Sequence, residues 1–134
     1  MDMSLWMKKL EERAQGTFWE LLGCKAEAVS PERTVIALVA EKRHLNAMGI
    51  VHGGVLASLL DNAMGLAVMS AYPDKRTVTT NLNVHFVASL GPGPLRTTAK
   101  VLHETRTTLT VEASVEDASG KLGTIGTGSF RLLD

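Results

Sequence analysis

The sequence is poor in cysteine and has no excess of either charge. Cys24 is the one cysteine among 134 residues, so no disulfide can form within the chain and no Cys/His cluster suggests structural zinc. Fourteen Lys and Arg side chains balance fourteen Asp and Glu, so no sequence-wide field attracts nucleic acid or an anionic membrane. We expect a reducing, cytoplasmic location with neither a nucleic-acid nor a membrane partner.

Several familiar functional motifs are also missing. There is no GxSxG elbow and no Walker loop, and Gly-rich residues 123–128 are followed by no helix, unlike a dinucleotide site. Residues 1–12 lack the apolar core of a secretory signal. None of the four histidines has a partner at ligand spacing; these are His44, His52, His85 and His103. We therefore expect no metal, no cofactor and no cleaved leader.

The longest apolar run, residues 47–72, has the length of a membrane span but reads better as a buried helix. Asp61 interrupts it, and a carboxylate is costly in lipid. Gly53 opens the helical part and Pro73 follows it, as is typical of helix ends. The pattern predicts a central buried helix from Gly53 to Ala71.

The rest of the chain predicts one α+β domain over residues 1–134. Residues 1–22 form an N-terminal segment of one or two short amphipathic helices, broken near Gly16, that packs as a lid or flank. Residues 33–40 are apolar on both faces, which suits an interior strand. Alternating patterns follow at residues 77–87, 95–101, 109–115 and 122–130.

We expect the four alternating segments to pair in chain order as an antiparallel meander that wraps the helix. In the first of them, Thr79 falls on a polar face with Asn81, Asn83 and His85. One helix cannot cover both faces of such a sheet, so the open face or edge predicts a second copy as partner.

One constellation carries chemistry: Asn46, the run His52-Gly53-Gly54, and Asp61. The two glycines let a ligand approach the unpaired N–H groups of the first helical turn, although they also suit a tight entry turn. Every helical neighbour of Asp61 is apolar, small or hydroxylic. This predicts a buried, unpaired carboxylate of the kind retained for a reaction, or one that bonds a neighbouring strand.

The spacing of the two glycines and the acid predicts a shared site. Asp61 lies about 12 Å beyond Gly53 along a helix. An attacking group and an oxyanion donor must both lie about 3 Å from one carbonyl, so a single subunit cannot supply both. If both act, two antiparallel copies of the helix must lie side by side, and function requires a homodimer.

A resemblance to a known family is carried by residues 46–63, Asn-Ala-Met-Gly-Ile-Val-His-Gly-Gly-Val-Leu-Ala-Ser-Leu-Leu-Asp-Asn-Ala. The chain resembles the hotdog-fold acyl-CoA thioesterases of the phenylacetate-pathway (PaaI) and 4-hydroxybenzoyl-CoA thioesterase type. The likeness extends to residues 78–84 and 126–130. It implies a hotdog fold, with Asp61 as nucleophile or general base, the Gly53 N–H as oxyanion donor and Gly54 against the substrate.

The resemblance also implies roles for residues outside the helix. Asn46 and His52 match positions that orient the thioester or water, and Thr79 matches a Ser or Thr that holds the water. Arg106 matches a basic residue near the CoA phosphates, although a solvated turn residue explains it equally well.

The resemblance implies an acyl-CoA thioesterase that assembles as a homodimer and further as a homotetramer. Aryl or arylacetyl-CoA is the first substrate expected and medium-chain acyl-CoA the second. A noncatalytic acyl-CoA sensor is the alternative from another class. A hotdog enoyl-CoA hydratase fits less well, because the helix has no His beyond Asp61.

Overall fold

The apolar run between His52 and Pro73 forms a 19-residue helix, Gly53–Ala71, in the computed structural model, which describes residues 3–134. The predicted helix is therefore confirmed at both ends. By length and composition this helix could cross a membrane, but half of its most apolar window is buried inside the protein. Its buried residues, including Leu60 and Met64, pack on the sheet as expected of a core helix.

Two short helices precede it. Helix α1 spans Met3–Ala14 and α2 spans Phe18–Leu22, with a break at Gly16, whose φ is +75°. The long helix is thus α3. The predicted N-terminal helical segment is confirmed over the described residues, while its residues 1 and 2 lie outside them. Arg43 Nη1 and His44 Nε2, from a 3-10 turn at Lys42–His44, donate to carbonyls at the end of α2.

Six antiparallel strands form one sheet in the order β1-β2-β4-β5-β6-β3. Their bounds are β1 Lys25–Ala28, β2 Thr34–Ala40, β3 Thr77–Phe86, β4 Gly93–Glu104, β5 Thr108–Asp117 and β6 Leu122–Leu132. Helix α3 crosses one face of this sheet and contacts β2, β3, β4, β5 and β6. The α+β class and the sheet wrapped on a single long helix are confirmed.

The prediction that β3 pairs with β4 is wrong. β3 pairs with β6 instead, and β4 lies between β2 and β5. Alternation identifies a strand but not its neighbour, and the chain from residue 87 to 92 crosses the end of the sheet rather than turning back. Leu90 is buried in this crossing and rests on Gly123, where a Cβ would collide with it.

The sheet leaves no room for a side chain at Gly126 of β6. A Cβ built on Gly126 would lie 2.6 Å from the backbone oxygen of Asn83 and 2.9 Å from Leu60 Cδ1. The oxygen belongs to the paired strand β3 and cannot move without disturbing the ladder. Glycine at this position is therefore required by packing between α3 and the sheet.

We predict that Gly126→Ala lowers the free energy of unfolding by about 1–3 kcal/mol through overpacking. Gly91→Ala is the matched control, because a Cβ there meets nothing within 4 Å. Urea denaturation of both variants measures the difference. Equal midpoints for the two variants would show that the sheet and helix have room to separate.

Candidate active site

The loop before α3 is held by the side chain of Asn46. Its Oδ1 accepts from the backbone N–H of Met48 at 2.9 Å and from that of Ile50 at 3.4 Å. Gly49 turns the chain with a φ of +80°, and Leu45 bridges to Val51. The carbonyl of the Asn46 amide is thus used by the loop, and its Nδ2 donor has no partner within residues 3–134.

The first turn of α3 satisfies all but one of its N–H groups. His52 Nδ1 accepts from the Gly54 N–H at 2.7 Å, and the carbonyl of His52 accepts from Val55 and Leu56. No acceptor within the described chain faces the Gly53 N–H. Because a helix N-terminus carries partial positive charge, this remaining donor suits a developing oxyanion.

The hydrogen bond from the Gly54 N–H also fixes the tautomer of the His52 ring. Since Nδ1 accepts a hydrogen bond, the neutral ring carries its proton on Nε2, which is a donor on an exposed side chain. Gly54 was expected to offer its own N–H to substrate, but that group is occupied by the ring. A Cβ on Gly54 would lie 3.0 Å from His52 Nδ1, so glycine here makes room for the cap.

Asp61 lies in α3, eight residues after Gly53, and contacts Thr79 of β3. The Thr79 hydroxyl donates to Asp61 Oδ1 at 2.8 Å, which leaves Oδ2 for another partner. Of the two alternatives that the sequence leaves open, the structure shows the second, because Asp61 is only partly buried and bonds a neighbouring strand. Within residues 3–134 no cation lies within ion-pair distance of it.

A β-bulge places Thr79 on the helix side of the sheet. Thr79 opposes Phe130 and Asn81 opposes Ser129, so Thr80 is an extra residue in β3. The face assignment of Thr79 alongside Asn81 was therefore wrong. The bulge reverses the alternation at Thr80, so Thr79, although exposed, faces α3 while Asn81 faces the other side of the sheet.

Asp61 and Thr79 line a cavity of about 610 Å³ between α3 and the N-terminal segment. Most of its wall is apolar, and its apolar lining includes Met7, Leu10, Trp19, Leu66, Met69 and Phe130. The volume lies within the range of ordinary small-molecule sites. An apolar group joined to a carbonyl beside Asp61 could therefore be held out of water.

Cys24 forms part of the same wall as a packed thiol. Burial raises its pKa to about 11, against a smaller opposing effect of the Asn62 amide, whose Nδ2 donates to Sγ at 3.7 Å. A thiol with so high a pKa is protonated at neutral pH and is a poor nucleophile. Within the described chain no three His, Cys, Asp or Glu side chains cluster as metal ligands.

The predicted site residues lie in two separate groups, and Arg106 belongs to neither of them. Asn46, His52 and Gly53 lie at the start of α3, and the ring of Phe86 at the end of β3 rests on Gly53. Asp61 and Thr79 lie near the start of β3. Arg106 is exposed in the β4–β5 turn, with no hydrogen bond or ion pair to either group among residues 3–134.

Sequence reasoning missed the cavity and its wall. Met7, Leu10 and Ala14 recur at helical spacing in α1, a signal that could have predicted one lining face. Trp19 lines the cavity, whereas Trp6 is absent from its wall. No sequence signal placed Phe86 against Gly53, because that contact depends on how α3 crosses the sheet.

Comparison with known proteins adds a family. Residues 48–124, more than half of the chain, match the family model described as the thioesterase superfamily. A 1,4-dihydroxy-2-naphthoyl-CoA hydrolase of Listeria monocytogenes is 30% identical over 105 residues, which are 77% of this chain and 85% of that protein.

Solved structures agree with this match. A conserved protein of Pseudomonas aeruginosa is similar with a TM-score of 0.85 and 32% identity, covering 91% of this chain and 98% of that one. A mutant of the phenylacetic acid degradation protein PaaI of Thermus thermophilus has a TM-score of 0.80 and 30% identity, covering 87% and 98%. The chain therefore belongs to the thioesterase superfamily, has the hotdog fold and is a thioester hydrolase.

Proposed function

We propose that this enzyme hydrolyses acyl-CoA thioesters at a site completed by a second copy of the chain. The observation that carries the proposal is the Asp61 carboxylate, held by Thr79 at the wall of an apolar cavity. The similar Listeria protein is named for hydrolysis of an aryl-CoA thioester, which supports CoA as the leaving group. Aryl, arylacetyl and medium-chain acyl groups are the proposed acids.

The proposed chemistry needs few groups. Asp61 acts as general base toward water or attacks the carbonyl carbon itself, and the Gly53 N–H stabilises the oxyanion that forms. With water as the nucleophile, the tetrahedral intermediate loses CoA as a thiolate and the free acid forms. With Asp61 as the nucleophile, loss of the CoA thiolate leaves an Asp61–acyl anhydride, which water then hydrolyses to the free acid and the regenerated carboxylate. Because a free thiol has a pKa of about 8.5, this leaving group needs little protonation. We propose that no metal or separate cofactor takes part.

The remaining site residues supply donors and position. Asn46 Nδ2 and His52 Nε2 are the side-chain donors that the loop and the cap leave available, and they suit the thioester oxygen or the attacking water. Gly54 contributes by donating its N–H to the His52 ring, which holds that ring in position. Arg106 is proposed as a contact for the CoA phosphates, which an exposed guanidinium can bind in bidentate fashion.

The exposed edge of β3 supports the proposed homodimer. β3 pairs with β6 on one side, and over residues 3–134 no strand covers its other side. Val78 and Phe86 are also exposed. A ten-residue open edge of this kind readily pairs with another chain.

Antiparallel pairing of two β3 strands about their midpoint would set the Thr79 end of one against the Phe86 end of its partner. Asp61 would then face the Gly53 N–H of the other copy. Further pairing of dimers into a homotetramer, in the cytoplasm, completes the proposal.

We predict that Asp61→Asn lowers kcat for acyl-CoA hydrolysis by about 10²–10⁴-fold, because the amide is neither a base nor a nucleophile. Release of free thiol from phenylacetyl-CoA and octanoyl-CoA measures the change. Asp74→Asn is the matched control, since Asp74 is exposed and outside the cavity. Full activity of Asp61→Asn would remove this carboxylate from the mechanism.

We predict that Thr79→Val lowers kcat by about 10–100-fold, the range expected when a hydrogen bond to a charged group is lost. Thr79→Ser keeps the hydroxyl and should restore most of the rate. The same thiol-release assay is used, with the thermal midpoint checked for each variant. Equal rates for the Val and Ser variants would show that the hydroxyl does not position Asp61.

Gly53→Pro removes the proposed oxyanion donor with little disturbance of the helix. Proline is favoured at the first helical position, and His52 already has the extended conformation that precedes proline, with φ −63° and ψ 136°. Gly53→Ala adds a Cβ against Phe86 but keeps the N–H, and is therefore the matched control. We expect Gly53→Pro to lose kcat by about 10²–10³-fold and Gly53→Ala to lose much less.

Mixing the two inactive variants tests whether the site is shared. In a heterodimer of Asp61→Asn and Gly53→Pro, one site receives both changes and the other receives neither. Random refolding of an equal mixture should recover about one quarter of wild-type activity, because half of the dimers carry one intact site. Recovery of no activity from correctly formed heterodimers would place both groups in one protomer.

A further inference from the structure

The outer wall of the Asp61 cavity is formed by the N-terminal helical segment. Met7, Leu10 and Ala14 face the cavity from α1, and Trp19 faces it from α2. The three α1 residues recur at spacings of three and four, so they form one stripe along the helix. Glu12 projects from the opposite side of α1 and is exposed.

Helix α1 lines the cavity but is only partly covered by the rest of the protein. None of its residues is buried, and Met7 and Leu10 are only partly covered although both are apolar. An apolar ligand in the cavity would remove their side chains from water. Each methylene removed from water contributes favourably, so the wall gains stability from a ligand that reaches it.

The N-terminal helices line the cavity mostly with apolar side chains, together with the exposed Glu11. Asp61 and Thr79 mark the end where a thioester carbonyl would lie, whereas Met7, Leu10 and Trp19 approach from the opposite elements. Methionine and leucine adapt to an alkyl chain or an aromatic ring without offering a charge. Among residues 3–134, the charged side chains that line the cavity are Asp61, exposed Glu11 and exposed Lys25, so no buried cation is present to pair with an acyl group ending in a carboxylate.

The part of the wall supplied by α1 and α2 lies outside the range that the family model matches. The match to the thioesterase superfamily begins at residue 48, after both helices and β1. Asp61, Gly53 and Thr79 all lie within the matched range. The residues of the proposed chemistry and the residues of the wall are therefore separate in sequence.

We propose that the face of α1 formed by Met7, Leu10 and Ala14, together with Trp19, contacts the far end of the acyl group and sets its permitted length. This inference rests on the proposed acyl-CoA hydrolysis and names the specificity-determining residues of the same site. The acyl group selected is apolar and of medium length, since a cavity of about 610 Å³ is only partly filled by a short acyl group.

The kinetic test uses a larger side chain at Leu10 to reduce the volume of the cavity. Leu10→Trp should lower the ratio of kcat/KM for decanoyl-CoA to that for butanoyl-CoA by roughly 10-fold or more, at about fourfold for each methylene excluded. Glu12→Trp places the same ring on the opposite face and should leave the ratio unchanged. Leu10→Ala enlarges the cavity and should shift the preference toward dodecanoyl-CoA, which keeps the test valid if the larger side chain prevents folding.

A binding test does not depend on hydrolysis. In protein with ¹³C-labelled methionine methyl groups, 1-decanol should shift the NMR signals of Met7 and Met69, which line the cavity. Met48 is 79% exposed in the loop before α3 and serves as the internal control. Leu10→Trp should weaken the shifts of Met7 and Met69, and Glu12→Trp should not.

The two tests separate failure of the wall from failure of the proposed function. Shifts of Met7 with no CoA thioester hydrolysed would contradict acyl-CoA hydrolysis and leave the apolar pocket standing. Hydrolysis with an equal decanoyl-to-butanoyl ratio in Leu10→Trp and Glu12→Trp would overturn the role of α1. So would 1-decanol shifts confined to Met48.

Discussion

The packing of α3 across one face of the sheet is the constraint on which the rest of the structure depends. The helix is 19 residues long and lies close enough to β6 that only glycine fits at Gly126. Its start and its middle therefore have different neighbours on β3. Gly53 contacts Phe86, and Asp61 contacts Thr79. A rigid helix cannot bring its first N–H and a carboxylate two turns later to one carbonyl, so separation of the two groups follows from the fold itself.

The Gly53 N–H and the Asp61 carboxylate each depend on a local feature of the backbone beside them. At the start of α3, the His52 ring and carbonyl take three N–H groups and leave that of Gly53, so the donor is selected by elimination. At the start of β3, the bulge at Thr80 turns Thr79 toward α3 to hold one oxygen of Asp61. Both features fix polar groups before any substrate arrives, which is the arrangement that electrostatic catalysis requires. Neither feature needs the other to form.

The sequence predicts the parts of this structure that depend on local pattern and misses those that depend on pairing. The apolar run up to Pro73 predicts both ends of α3, and alternation predicts every strand from β3 to β6. Alternation carries no information on which strand lies beside which, so the β3–β6 pairing was missed. A bulge is equally invisible in the pattern, because Thr79, Thr80 and Asn81 are all polar. The same reason explains why Thr79 was assigned to the wrong face, and the family resemblance, which implied only that Thr79 holds the water, did not predict its contact with Asp61.

The residues around the cavity are of two kinds. Those on α3 and β3 are held in place by the core, and those on the N-terminal helices are not. Gly53, Asp61 and Thr79 lie on a helix and strand whose positions are set by the buried core, and small displacements there would separate the groups that we propose react. Met7 and Leu10 lie on a helix with no buried residue, although Leu10 packs against the edge of the core, so substitutions on α1 change the cavity more than they change the core. A fold built in this way can change the acyl group that it accepts while it keeps the geometry at the carbonyl. Because α1 buries no residue of its own, the proposed acyl wall can change its side chains while the close-packed core keeps the proposed reacting groups in place.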